Sequence, residues 1–325
     1  MDIQKVLAEY DSMFGKYTLK EIEGFLLKHL SEARFKSEHE ELVTLLNEAI
    51  GFYRDTTQKE KALKNCGALM EHLVEMKLEG TIPYATSLLN IANAFRAFDL
   101  HKEAVRLFEK VEEIYGNHIS KEDFMYASLY NNWALAYQES GEYDKAAEML
   151  RKALKIVDVY KEAIIPQATT RTNLASSLLA IGTESAYQEA VEHLSQALAI
   201  FEKDGGKDFH YGAALVAMGD AYSYKENYRK AAEYYKAGMT EVEKHTGKND
   251  NYARVQEKYD FAITMLKNND TWQSNMDRSK AFYESAGKAM IEKHFPQYVE
   301  RIAVGLVGEG SDCFGFDDAI SGDHD

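Results

Sequence analysis

Hydrophobic residues recur at helical spacing on both sides of a short polar turn between residues 129 and 156. Tyr130, Trp133, Ala134 and Tyr137 fall at i, i+3, i+4 and i+7, which places all four on one face of a helix. After a turn at Gly141, large and small residues alternate again along a second helix. The pattern predicts a helical hairpin. Such a hairpin cannot bury both of its faces alone, so we expect neighbours of the same kind.

The same pattern returns at intervals of about 42 residues. Each predicted hairpin has a large side chain on its first helix and an alanine on its second. The large residues are Tyr53, Phe95, Tyr137, Leu178 and Tyr222, and the alanines are Ala62, Ala104, Ala146, Ala190 and Ala231. Because the large residues and the alanines recur at similar intervals, they indicate about five hairpins. Gly182 and Ala190 are eight residues apart, against five for Gly141 and Ala146, which predicts a longer turn in the fourth hairpin.

The repeat divides the chain into three regions. We expect N-terminal helices over residues 1–41, a repeat domain over 42–270 and the start of another domain over 271–325. A helix at 251–267 is expected to cap the stack. In the last region, the spacing predicts an amphipathic helix over 276–294 that ends before Pro296, and the apolar run 302–307 is typical of a short buried strand.

Composition narrows the class of protein. Only three prolines occur among 325 residues, which favours helical structure, and the net charge of −15 argues against a nucleic-acid partner for the repeats. The two cysteines, Cys66 and Cys313, lack metal-site or disulfide spacing. The N-terminal residues do not have the pattern of a secretory signal, and no apolar run is long enough for a membrane span. We therefore expect a cytoplasmic protein that does not bind membranes.

The hairpins resemble the tetratricopeptide repeat family. Three of them carry its pattern of large, small and aromatic residues. The matching residues are Leu88, Ile91, Ala92, Phe95, Ala104 and Phe108; Tyr130, Trp133, Ala134, Tyr137, Gly141, Tyr143, Ala146, Leu150 and Ala153; and Leu215, Met218, Gly219, Tyr222, Tyr228, Ala231 and Tyr235. The longer interval is similar to that of kinesin light chains and of bacterial peptide-sensing regulators. The resemblance implies an all-α, right-handed α-solenoid of about five helix-turn-helix repeats, with a short helix–strand tail.

Asparagines mark a candidate binding site on this scaffold. Asn90, Asn132 and Asn173 each precede the large–small pair of a first helix. The resemblance places the first helices on a concave surface and implies that such residues hold the backbone of an extended peptide, since an amide both donates and accepts hydrogen bonds. Asn131 and Arg96 are expected to add to the groove, with Arg96 pairing a ligand carboxylate. The alternative is that these asparagines only make hydrogen bonds within a helix or between repeats.

The last region resembles the opening of a nucleotidyltransferase-like domain. Gly310 and Ser311 follow the predicted strand, and Asp323 and Asp325 lie about a dozen residues further on. In that superfamily a Gly-Ser turn approaches a triphosphate and two aspartates hold Mg²⁺. The rest of such a domain is missing from this sequence, so we expect no catalytic activity from the chain as given, and nucleotide or Mg²⁺ binding only in a longer parent.

Three functions remain open at this point. The first is a scaffold that binds an extended protein or peptide partner in the groove of the repeats, with no cofactor. The second is a recruiting or regulatory arm of a Mg²⁺-dependent nucleotidyltransferase. The third is a sensor of signalling peptides, which the repeat architecture resembles but for which the N-terminus shows no DNA-binding helix-turn-helix.

Overall fold

The hairpins predicted from the sequence form in a computed structural model that describes residues 1–203, 209–268 and 280–298. The chain divides into two units, Met1–Ala163 and Ile164–Asp325. The first unit contains α1 (Ile3–Met13), α2 (Leu19–Lys36), α3 (His39–Asp55), α4 (Lys59–Glu75), α5 (Ile82–Ala97), α6 (His101–His118), α7 (Phe124–Glu139) and α8 (Tyr143–Val157). The second contains α9 (Ile164–Ile181), α10 (Glu184–Lys203), α11 (Phe209–Tyr224), α12 (Tyr228–Thr246), α13 (Asp250–Asn268) and α14 (Lys288–His294).

Local capping explains where several helices begin. Thr18 and Glu21 form a capping box at the start of α2, in which each side chain accepts a hydrogen bond from the other's backbone N–H. Thr81 accepts a bond from the backbone of Tyr84, and Pro83 lies in the first turn of α5, where its missing N–H costs nothing. These signals fix the helix starts from residues close in sequence.

The five hairpin turns have a left-handed residue in common. Each contains a residue in the left-handed region, with φ between 58° and 78°: Thr57, Asp99, Gly141, Gly182 and Glu226. In four of the turns, the next backbone N–H donates to the carbonyl of the large residue that marks the repeat, at 2.8–2.9 Å. This arrangement closes the end of the first helix. Three of the five left-handed residues are not glycine, which costs on the order of 1 kcal/mol each.

The first unit is built from successive antiparallel pairs. Helix α3 packs on α4, α5 on α6 and α7 on α8, while α3 also contacts α5 and α5 contacts α7. The first helices of the hairpins therefore follow one another. Their second helices supply fully buried alanines at the repeat positions Ala62, Ala104 and Ala146. Close packing at these small positions confirms the alanine column in this unit.

The second unit continues the same construction. Helix α9 packs on α10 and α11 on α12, with Ala190 and Ala231 fully buried. As predicted, a further helix follows the last hairpin: α13 packs on α12 through a cluster that includes Tyr235, Val255 and Leu266. The interval between hairpins therefore predicts helices correctly in both units. The boundary between the units falls inside the region predicted as one repeat domain.

One prediction about the fourth hairpin is wrong. Its turn is not longer, because α10 begins at Glu184, two residues after Gly182, just as α8 begins two residues after Gly141. The additional residues extend the start of α10 instead. Thr183 accepts a hydrogen bond from the backbone N–H of Ala186 and so supports the earlier start.

The described part of the tail is helical, as predicted. Residues 280–294 form helix, with one π-helical turn over Tyr283–Gly287, and the helix ends before a 3₁₀ turn at Pro296–Tyr298. None of its apolar side chains is buried, and Phe282 is 70% exposed. The structure describes no β-strand in residues 1–203, 209–268 or 280–298, and the predicted strand at 302–307 lies outside them. No helix in the described ranges is long and apolar enough to cross a membrane.

Candidate functional site

The candidate asparagines lie on the first helices of the hairpins, beside the buried core. Asn90 on α5 and Asn132 on α7 are each half-buried, whereas the large–small pairs that follow them are buried. Since α5 contacts α7, the first unit carries equivalent amides on two neighbouring helices. Asn173 occupies the same position on α9 of the second unit and is also half-buried.

The amide of Asn90 joins two hairpins. Its Nδ2 donates to the backbone oxygen of Asn47 at 3.0 Å and to the Oδ1 of Asn47 at 3.1 Å. Asn47 in turn donates from Nδ2 to the oxygen of Val43 at 3.0 Å and to the Oγ of Ser87 at 3.2 Å. Asn90 therefore fixes the contact between α3 and α5, which is the inter-repeat role that the sequence left open.

The next two asparagines bond within their own helix. Asn132 donates from Nδ2 to the backbone oxygen of Ser128 at 2.9 Å, and Asn131 donates to that of Ala127 at 3.0 Å. Bonds of this kind are not restricted to the first helices, because Asn117 on α6 makes the same bond to Glu113 at 3.1 Å. The bond alone thus does not define a site. It does hold the amide nitrogen of Asn132 against its own helix.

The side-chain oxygens of Asn90 and Asn132 are the candidate binding groups. In the part of the chain that the structure describes, no donor bonds to the Oδ1 of Asn90 or of Asn132. With each amide nitrogen committed to the protein, the side chain is held in one orientation and its oxygen is available to a donor. A backbone N–H of a bound peptide is such a donor.

Arg96 is already engaged by a carboxylate of the protein. Its Nη1 donates to the Oε1 of Glu139 at the end of α7, and the Arg96 side chain is 18% exposed. The Nδ1 of His101 lies 3.7 Å from the other oxygen of Glu139. Burial raises the pKa of the Glu139 carboxyl above its usual range, while Arg96 and His101 oppose this shift. A ligand carboxylate at Arg96 has to compete with Glu139.

A groove of about 770 Å³ lies near this cluster in the first unit. Its lining includes four carboxylates, which are Asp99, Glu103, Glu109 and Glu142. They are accompanied by His101, Lys102, Arg106 and Lys145. Both signs of charge are therefore interspersed, and the groove gives no preference for an anionic or a cationic ligand.

Sequence reasoning missed the partner residues Asn47 and Glu139. The sequence did contain a signal for Asn47, because it precedes Asn131 by two intervals of 42 residues. Asn47 and Asn131 therefore share a repeat position, which lies one residue before the position of Asn90 and Asn132. Glu139 had no such signal, because its pairing with Arg96 depends on how α5 meets α7. Gly310, Ser311, Asp323 and Asp325 lie outside the described residues.

Comparison with known families agrees with the geometry of the hairpins. Models of the tetratricopeptide repeat match residues 127–158 and 166–240. The chain contains tetratricopeptide repeats. The matches cover α7–α8 and α9 to most of α12, and α3–α6 continue the same hairpin arrangement in the first unit. Neither match extends into residues 271–325, so the nucleotidyltransferase-like resemblance gains no support.

Solved structures with the same repeats are similar in fold. NprR in complex with its cognate peptide NprX has a TM-score of 0.58 and 15% identity, over 94% of this chain and 83% of that one. A Rap protein complexed with Competence and Sporulation Factor has a TM-score of 0.53 and 13% identity, over 91% and 81%. A protein from Podosopora anserina assigned as a kinesin light chain has a TM-score of 0.52 and 22% identity, over 66% and 97%. A search of curated protein sequences found no significant match.

Proposed function

We propose that this chain binds an extended peptide segment of a protein partner along the first helices of its tetratricopeptide repeats. The observation that carries the proposal is the shared state of Asn90 and Asn132. Each is half-buried at an equivalent position, and each commits its amide nitrogen to the protein, while no donor among the described residues bonds to its oxygen. Side chains held in one orientation lose little rotational freedom on binding, which favours affinity.

The structural neighbours support this choice of ligand class. The NprR structure is a complex with its cognate peptide, and the Rap structure is a complex with Competence and Sporulation Factor. A repeat surface that recognises peptide backbone N–H groups accepts many sequences, with specificity supplied by neighbouring side chains. The acidic net charge of −15 is unfavourable for a phosphate backbone as ligand.

Affinity for a selected peptide tests the proposal. A phage-displayed library of random decapeptides is panned on the full chain, and the most enriched peptide is synthesised and titrated by calorimetry. Asn132→Ala removes one acceptor and is expected to weaken binding about fivefold, the equivalent of one hydrogen bond worth about 1 kcal/mol. N-methylation of the peptide nitrogen that contacts Asn132 is expected to produce a similar loss and no further loss in the variant.

Asn117→Ala is the matched control. Asn117 makes the same bond within its helix as Asn132 but lies on α6, the second helix of its hairpin. It should leave the peptide affinity unchanged, and both variants should keep the melting temperature of the unmodified chain within a few degrees. Failure to enrich any peptide, or equal affinity in the Asn132→Ala variant, contradicts the proposed role of the asparagines.

A further inference from the structure

A separate pocket of about 370 Å³ opens in the second unit between α9, α11, α12 and α13. Its apolar wall comes mainly from small or branched side chains of α11 and α13. These are Ala213, Val216, Ala217 and Val255. Asn251 and Arg254 lie one helical turn apart on α13. The other polar residues of the lining are Ser176, Asp220 and Lys258. A mainly apolar pocket of this size with a few polar side chains is typical of sites for small organic molecules.

The charges in this pocket do not cancel. Lys258 donates to both oxygens of Asp220, at 2.8 and 2.7 Å, and the hydroxyl of Tyr235 donates to the same carboxylate at 2.8 Å. By contrast, no carboxylate or other acceptor pairs with Arg254 anywhere in the ranges that the structure describes. Within the described residues, Arg254 is therefore an exposed cation without an ion-pair partner beside an apolar wall, in a chain whose net charge is −15.

We propose that this pocket binds a small organic monocarboxylate with an apolar body. The guanidinium of Arg254 presents paired N–H donors that match the two oxygens of a carboxylate, and the amide of Asn251 can donate beside it. The apolar body lies against the wall formed by α11 and α13, where its burial favours binding. Among the described lining residues, Arg254 supplies the positive charge that matches a carboxylate, whereas the neighbouring Lys258 is neutralised by Asp220.

Octanoate and octanamide are the probes that test this assignment. They share an apolar chain and differ in charge. Each is titrated into the full chain with ¹³C-labelled valine methyl groups, and the resonances of Val216, Val242 and Val255 report occupancy. Octanoate should shift these resonances saturably, and octanamide should bind at least about tenfold more weakly, since a charge-assisted hydrogen bond is replaced by neutral ones.

Three variants separate the charge from the pocket. Arg254→Gln should reduce octanoate binding to the level of octanamide, whereas Arg229→Gln on α12, outside the pocket lining, should have no effect. Ala213→Phe should block both probes, because Ala213 is an exposed residue of the pocket wall and a ring there fills the space without entering the core.

Several outcomes overturn the inference. These are the absence of saturable shifts, equal affinity for octanoate and octanamide, and unchanged octanoate binding in the Arg254→Gln variant. A fourth is that an acetylated tripeptide ending in leucine binds at least tenfold more tightly than octanoate. That result would assign the pocket to the carboxyl terminus of a peptide. The result is independent of the peptide-binding proposal, because Asn132 lies in the first unit and its replacement should leave octanoate binding unchanged.

Discussion

The buried large–small pair of the repeat is Trp133–Ala134 on α7 and Met218–Gly219 on α11. In the first unit, Trp133 of α7 packs with its ring 6.2 Å from that of Phe108 and 6.1 Å from that of Tyr137. In the second, glycines bring the helix backbones together: a Cβ added to Gly219 would lie 2.6 Å from ring atoms of Tyr235. The same pair of repeat positions is thus packed through aromatic rings on α7 and through close helix approach at a glycine on α11.

Burial and hydrogen bonding shift the pKa values of individual carboxylates in opposite directions. In the first unit, burial raises the pKa of Glu139 and of Glu48, the latter with a smaller contribution from Asp11. In the second, hydrogen bonds from Lys225 and Gln188 lower the pKa of Glu184 on the surface of α10. Glu139 and Glu48 therefore oppose folding at neutral pH, whereas Glu184 favours it.

Trp133→Ala should produce the largest change in this comparison. The side chain is 5% exposed and packs against two rings, so its removal leaves a cavity that we expect to cost about 3–5 kcal/mol of unfolding free energy. Urea unfolding followed by far-ultraviolet circular dichroism measures the loss. Phe35→Ala, at a side chain that is 89% exposed, is the control and should change stability by less than about 0.5 kcal/mol. A loss below about 1 kcal/mol for Trp133→Ala would show that ring packing does not stabilise this hairpin.

Gly219→Ala should have the next largest effect on stability. The sign of that change shows whether close helix approach requires a glycine at this position. Alanine is the better helix former, but here its methyl group meets the ring of Tyr235 at 2.6 Å and the backbone oxygen of Ala231 at 3.2 Å. We expect a loss of about 1–3 kcal/mol from overpacking. Gly67→Ala on α4 has nothing within 4 Å of the added atom and should gain about 0.5–1 kcal/mol. If both substitutions stabilise the protein, close helix approach is not what requires Gly219.

Glu48→Gln should give the smallest effect, which depends on pH. Because the folded-state pKa of Glu48 is raised above the ordinary value of 4.5, its charge opposes folding above that value. The variant should melt at a higher temperature at pH 7, and this gain should disappear as the pH falls through the raised pKa towards 4.5. Glu184→Gln should show the reverse sign: a slightly lower melting temperature at pH 7, with the difference lost at pH values below 4.5. If the melting temperature of the Glu48→Gln variant rises equally at all pH values, the stabilisation comes from packing and not from the removed charge.

Most of the fold could be predicted because its determinants are local. The helical stripes around Trp133 and the alanine at position 146 are read within one or two turns of helix. The wrong turn length before α10 shows the limit of this reasoning, since a spacing of eight residues between Gly182 and Ala190 does not say whether extra residues lengthen a loop or a helix. The left-handed turn residues Thr57 and Glu226 were also invisible, because they are not glycine.

By itself, the sequence determined that this protein is a series of helical hairpins with asparagines at equivalent positions of its first helices. Only the tertiary structure decided what those side chains do. Asn90 bonds to a residue 43 positions away, and Arg96 to Glu139 at the same separation. The pocket beside Arg254 gathers residues from four helices. Periodicity sets which face of a helix is buried, but the register between hairpins sets which polar groups meet.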